Sequence, residues 1–188
     1  MDGQREIQLG YIETVLKETL CPMGLEVNRT MDGRFCFLVI ELKDSIRVSL
    51  PVPSGPDAFS MVYAEAMRTV DFINGRYRED LMMTEECVRE FLTLPGRVEF
   101  IGEDRYAMYH RIALIAAQER FGHRLVSKAE YASDRTLVLH TREGLYYIQM
   151  SDFKKSLKEV LDSMGHLMRK PIRPRFDKIC KENRSEKG

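Results

Sequence analysis

Three short runs of alternating hydrophobicity, closed between two helix-period segments, occur twice in this chain at an offset of about 100 residues. That repetition restricts the fold more than any single motif, because period-2 runs separated by turn residues pair as antiparallel meanders. In the first copy, "REIQLGYIETVLKETL" places Ile7, Tyr11, Val15 and Leu16 on one helical face and stops at Cys21-Pro22-Met23-Gly24. "LEVNRT", "FCFLVIEL" and "IRVSLPV" follow as strands, with turns at Asp32-Gly33 and near Asp44. A helix opening at Ser54 carries Phe59, Val62, Tyr63, Ala66, Val70 and Ile73 on one face and ends at Asn74-Gly75.

The second copy runs from the helix "EDRYAMYHRIALIAAQERFG" through "RLVSKAEY", "TLVLHTR" and "LYYIQM", with turns at Ser133-Asp134 and Glu143-Gly144. Its last helix opens at Ser151 and buries Phe153, Leu157, Val160, Leu161 and Met164. The expected fold is α+β: two αβββα units, read as an internal duplication, each an antiparallel three-stranded meander with helices packed on one face. Identity at this offset is sparse, as at Arg5/Arg105, Ile12/Ile112 and Leu25/Leu125. Residues 1–80 form the first unit and 103–168 the second. Residues 81–102 link them, with Thr84 capping a short helix, Pro95-Gly96 breaking it and "RVEFI" a brief strand. Residues 169–188 form a basic, mobile tail. Leu25, Val27, Leu38, Ile40, Leu42, Ile46, Val48 and Leu50 are expected in the first core, and Leu137, Leu139, Tyr146, Ile148 and Met150 in the second.

Composition excludes several classes of function. The longest apolar runs, "FCFLVI" and "IALIAA", are six residues each, far below the roughly 20 that cross a bilayer, so no membrane association is expected. "MDGQREIQ" carries acids where a signal peptide is basic and then apolar, which predicts a cytoplasmic protein. Cys21, Cys36, Cys87 and Cys180 lack any close metal-ligand spacing, and the first three read as small core residues. His110, His123, His140 and His166 form no pair that one helix could present to zinc. No GxSxG, Walker A or GxGxxG motif occurs. Neither cofactor nor metal is expected.

"FLVIELKDS" holds Glu41 and Lys43 at the end of a strand, with Asn28 on the strand before. This pattern resembles the PD-(D/E)xK nuclease superfamily, in which two carboxylates hold Mg²⁺ and a lysine activates water. The resemblance implies Glu41 as second acid, Lys43 as the lysine and Asn28 in the place of the first acid. Asn28 departs from that pattern, since a neutral amide anchors Mg²⁺ poorly. Register argues for an ordinary strand end. A turn centred on Asp32-Gly33 puts Glu41 opposite Gly24 and Asn28 opposite Phe37, with Glu26 at a diagonal to Glu41. A three-residue turn at Lys43-Asp44-Ser45 pairs Leu42 with Ile46, Ile40 with Val48, and Glu41 with Arg47 as a cross-strand ion pair. A two-residue turn at Glu143-Gly144 likewise puts His140 opposite Tyr147.

The same register puts Phe35, Phe37 and Val39 on the helix-free face of the first sheet, which makes them the candidate interface for a protein partner or a homodimer. Charge offers a second partner class. From Arg169 to Gly188 there are eight Lys/Arg against three Asp/Glu, a net +5, so the first 168 residues carry −5. Arg169, Lys170, Arg173, Arg175, Lys178 and Lys181 are therefore the candidate nucleic-acid or other polyanion contacts. Lys154, Lys155 and Lys158, placed after an αβββ segment, resemble the double-stranded RNA-binding domain, and that likeness implies phosphate contacts there. With no converging catalytic constellation, the expectation is a non-catalytic binding or regulatory module acting through protein–protein contacts. Helix-and-meander units in this order are similar to type III secretion chaperones. The alternative is a nucleic-acid-associated protein, through Glu41-x-Lys43 or through the tail.

Overall fold

A computed structural model describes residues 3–78 and 84–168 of the 188-residue chain. The fold is α+β, and the order αβββα occurs twice. The first unit comprises α1 (Gly3–Leu20), β1 (Glu26–Asp32), β2 (Phe35–Leu42), β3 (Ile46–Pro51) and α2 (Ala58–Phe72). Next come α3 (Glu85–Thr93) and β4 (Arg97–Phe100), then α4 (Arg105–Phe121), β5 (Val126–Ser133), β6 (Thr136–Thr141), β7 (Gly144–Gln149) and α5 (Phe153–Met168). Strands β1 to β4 form one antiparallel sheet in sequence order, and β5 to β7 form a second.

Local chemistry sets the element ends. At the end of α1, Pro22 cannot donate a backbone hydrogen bond, and Gly24 takes φ 77°, its N–H donating to the Cys21 carbonyl at 3.0 Å. Thr84 caps α3 as expected, accepting from the Cys87 N–H at 3.2 Å. Leu94, held extended by the proline after it, ends that helix. Ser54 is not a cap: Gly55, at φ 122°, keeps the chain irregular and α2 starts at Ala58. Nor does Ser151 cap α5, which begins at Phe153 after a 3₁₀ turn at Met150–Asp152. At the end of α2 the chain continues as a π-helical turn, Ile73–Tyr77, across Asn74-Gly75.

The linking segment builds the junction between the units. β4 extends the first sheet as a fourth strand, with Val48 opposite Val98. Gly96, at φ 70°, lets β4 approach β3, because a Cβ there would lie 2.2 Å from the Ser49 carbonyl oxygen. Phe91 of α3 stacks on Phe100 of β4 (centroids 5.7 Å apart) and touches Phe72 of α2 and Phe153 of α5. Tyr109 of α4 meets Phe100 and Phe153 and accepts the Phe100 N–H at 2.9 Å. One buried apolar core therefore runs through both units.

Of the expected core residues, Leu25, Val27, Leu38, Ile40, Ile46, Val48, Leu50, Leu137, Leu139 and Ile148 are buried. Leu42, Tyr146 and Met150 pack half-buried at its border. Cys36 and Cys87 are buried, whereas Cys21 is exposed in the turn after α1, so its reading as a core residue is corrected. Cys180 lies outside the described residues. Gly96→Ala combines a backbone clash with a left-handed φ, and is expected to destabilise the protein by about 1–3 kcal/mol in urea unfolding; an unchanged midpoint would show that β3 and β4 can separate without cost.

Candidate functional site

The Glu-x-Lys strand end has one register as expected and one corrected. Between β2 and β3, Leu42 faces Ile46, Ile40 faces Val48 and Glu41 faces Arg47. Asp44 takes the left-handed position of the three-residue loop at φ 54°. Between β1 and β2 the turn residues are Gly33 and Arg34, not Asp32 and Gly33. Glycine at the first loop position, with φ 60°, suits a tight two-residue hairpin. Glu41 consequently lies directly opposite Glu26, and Asn28 opposite Val39. The Arg47 Nε donates to Glu41 Oε2 at 2.7 Å, and Arg97 pairs with Glu99 at 2.6 Å. Among the described residues no cluster of three or more His, Cys, Asp or Glu could hold a metal ion.

Phe35, Phe37 and Val39 do share the helix-free face, but differ in exposure. Val39 sits between Asn28 and Ser49 in mid-sheet and is 8% exposed. Phe37, between Thr30 and Pro51, is half-buried, while Phe35 at the strand end is 70% exposed. The sheet's own cross-strand neighbours thus remove most of the patch from water, leaving one large open side chain at its edge.

Among the candidate phosphate contacts, Lys154 is unavailable. Its ammonium is buried and donates to the Leu94 carbonyl and, at 2.5 Å, to the Gly96 carbonyl, closing the end of α3 against the start of α5. Lys155 and Lys158 remain exposed. Arg169, Lys170, Arg173, Arg175, Lys178 and Lys181 lie outside the described residues. On the second sheet, Thr141 displaces the expected turn: its hydroxyl accepts the N–H groups of Glu143 and Gly144, so the loop is Arg142-Glu143. His140 therefore faces Leu145, and Tyr147 faces Val138. His140 Nε2 lies 2.6 Å from Glu130, which also binds Lys128 at 2.7 Å; these two contacts, Lys128 first, hold the Glu130 carboxyl below its usual range.

The feature that pattern reading missed is on α1. Leu9, Ile12, Leu16 and Leu20 face the core, whereas Ile7 and Tyr11, expected to be inward, are 76% and 59% exposed. The helix is apolar on two sides. Tyr11 continues into a row of rings, 5.4 Å from Phe59, which is 5.7 Å from Tyr63 on α2. Next to this row, Arg5, Ile7, Gln8, Tyr11 and the 54–56 loop line a broad depression. It adjoins a cavity of about 410 Å³ lined by Arg5, Arg34, Phe35, Pro51, Met61 and Glu65. Both depressions share Arg5 and Ser54, so Phe35 joins α1 and α2 in one apolar band around the sheet edge. Within that band neither Arg5, Arg34 nor Glu65 has an ion-pair partner among the described residues, and Arg5 Nε is buried without a hydrogen bond. Arg29, on β1, is held by Glu6 at 2.7 Å and Glu13 at 3.4 Å, although its Nη1 is likewise buried without a hydrogen bond.

No family model, curated protein or solved structure matches this chain. No described helix is long and apolar enough to cross a membrane.

Burial pushes the Lys154 ammonium down to about 8, with Lys158 adding to the effect. Above that pH the folded protein gives up a proton that the unfolded chain still holds up to the ordinary lysine value of about 10.4, so raising pH through this interval favours the folded state. Urea unfolding at pH 7.5 and 9.5 should therefore show the wild type gaining stability relative to Lys154→Met as pH rises; parallel profiles would mean that the ammonium is not buried in solution.

Proposed function

We propose that this protein is a non-catalytic binding module that acts through protein–protein contacts and associates with itself, and that its contact surface is the band of Ile7, Tyr11, Phe59, Tyr63, Met61 and Phe35. The observation that carries the reading is the second apolar side of α1. A surface helix needs one apolar stripe to hold it on its sheet, and Leu9, Ile12, Leu16 and Leu20 supply that stripe. Ile7 and Tyr11 contribute little to folding where they stand, since most of their surface remains in water. Covering such side chains is worth about 1.5–3 kcal/mol each before the cost of association, so four or five of them can support a complex. Apolar side chains clustered with a few charges at the margin also match the usual anatomy of a protein interface.

The nuclease alternative asks Glu41 to hold a metal, while Arg47 already occupies that carboxylate. Glu41→Ala is accordingly expected to leave the chain folded and to abolish no Mg²⁺-dependent cleavage of nucleic acid. A cleavage activity in the wild type that this substitution removes would overturn the reading.

Self-association is tested by sedimentation equilibrium of the full chain at tens of micromolar. The wild type is expected to associate, Tyr11→Asp to dissociate it with its urea midpoint nearly unchanged, and Phe37→Glu to leave association intact. Dissociation by Phe37→Glu alone would move the contact to the sheet face, and a wild type that stays monomeric would refute self-association.

A further inference from the structure

The cavity beside α1 carries charges of both signs on three separate elements: Arg5 on α1, Arg34 in the β1–β2 turn and Glu65 on α2. None of the three has an ion-pair partner among the described residues. Between them lie the apolar side chains of Phe35, Pro51 and Met61, with Phe35 70% and Met61 52% exposed. Arg5 Nε is shielded from solvent and has no acceptor, so the guanidinium stands at the cavity wall without a counter-charge.

We infer that the occupant of this surface is a second copy of the chain, docked about a two-fold axis so that Arg5 and Arg34 of each copy meet Glu65 of the other. The inference rests on the proposed self-association and names its geometry. A two-fold interface sets a surface against its own image: if one residue meets a second, the second also meets the first. A patch that holds both cations and an anion around an apolar centre satisfies that rule without any other chain. The apolar residues then meet across the axis, and each unmatched charge finds its opposite twice. A purely acidic partner would satisfy Arg5 and Arg34 but set a carboxylate against Glu65, which is why the second copy fits better.

Charge reversal tests the pairing in the full-length protein. Arg5→Glu and Glu65→Arg are each expected to weaken association by about tenfold or more, since each leaves like charges facing one another. Neither change should unfold the chain: an acid suits the first turns of α1, and Glu65 is only partly buried. Circular dichroism and the urea midpoint check this directly. Mixing Arg5→Glu/Arg34→Glu with Glu65→Arg should restore a dimer, because every charge at these three positions then faces its opposite, and the triple variant Arg5→Glu/Arg34→Glu/Glu65→Arg should dimerise with itself. Association of the single variants should recover as salt is raised, by screening of the like charges.

Three results would overturn the inference. If both single variants associate like the wild type while Tyr11→Asp does not, the pairing is wrong and the band remains the interface. If the single variants dissociate but neither that mixture nor the triple variant recovers, the charges act separately and not on each other. If the wild type is monomeric, no second copy occupies the surface.

Discussion

Everything else in the molecule depends on how Phe91 is enclosed. Its ring touches aromatic side chains from α2, β4 and α5, and Tyr109 of α4 closes the same cluster from the other side of Phe100. A linking segment that could have been a tether is instead the centre of the core. Lys154 fastens the arrangement, since its buried ammonium takes the carbonyls of Leu94 and Gly96, just past the end of α3. Burying an ammonium is costly, and its depressed proton affinity expresses that cost. The hydrogen bonds it makes join the two units at the point where the chain passes from one sheet to the other.

This junction also bears on why α1 can carry two apolar faces. The first sheet receives β4 at its β3 edge, and the second unit joins it there through α4 and α5. α1 packs at the opposite edge, over β1, where Arg29 reaches across to Glu6 and Glu13. Its outward side therefore meets no element of the second unit. The stretch from Arg5 to Tyr11 is left beside the 54–56 loop and the β1–β2 turn, where apolar surface and unpaired charge collect.

Most of the architecture was legible in the residues. The β2–β3 register follows from alternation alone, because a one-residue slip would turn Ile46, Val48 and Leu50 out of the core. The other hairpins depended on local chemistry that alternation does not carry. Asp32-Gly33 looks like a turn pair, yet the glycine occupies the first loop position and shifts the register by two. At Thr141, a hydroxyl that reaches two following N–H groups selects the loop over the neighbouring Gly144. The inward face of α1 could not be read in the same way. Ile7-Tyr11-Val15 and Leu9-Ile12-Leu16 are both acceptable helical stripes, and only the packed sheet decides between them. Val39 departs for a related reason: which face a strand residue occupies follows from parity, but its exposure depends on the side chains that flank it on both adjacent strands. The addition of β4 to the first sheet and the inward turn of Lys154 are long-range events with no local signal.

The central physical claim is that two units with separate sheets form one cooperative body around Phe91. Native-state hydrogen exchange tests it most directly, by comparing the slowest amides of β2, such as Ile40, with those of β6, such as Leu139. One shared opening free energy, with the same dependence on denaturant for both strands, is the predicted result. A β6 that opens at clearly lower free energy while β2 remains protected would contradict it, and would make the second sheet an independent unit attached to the first.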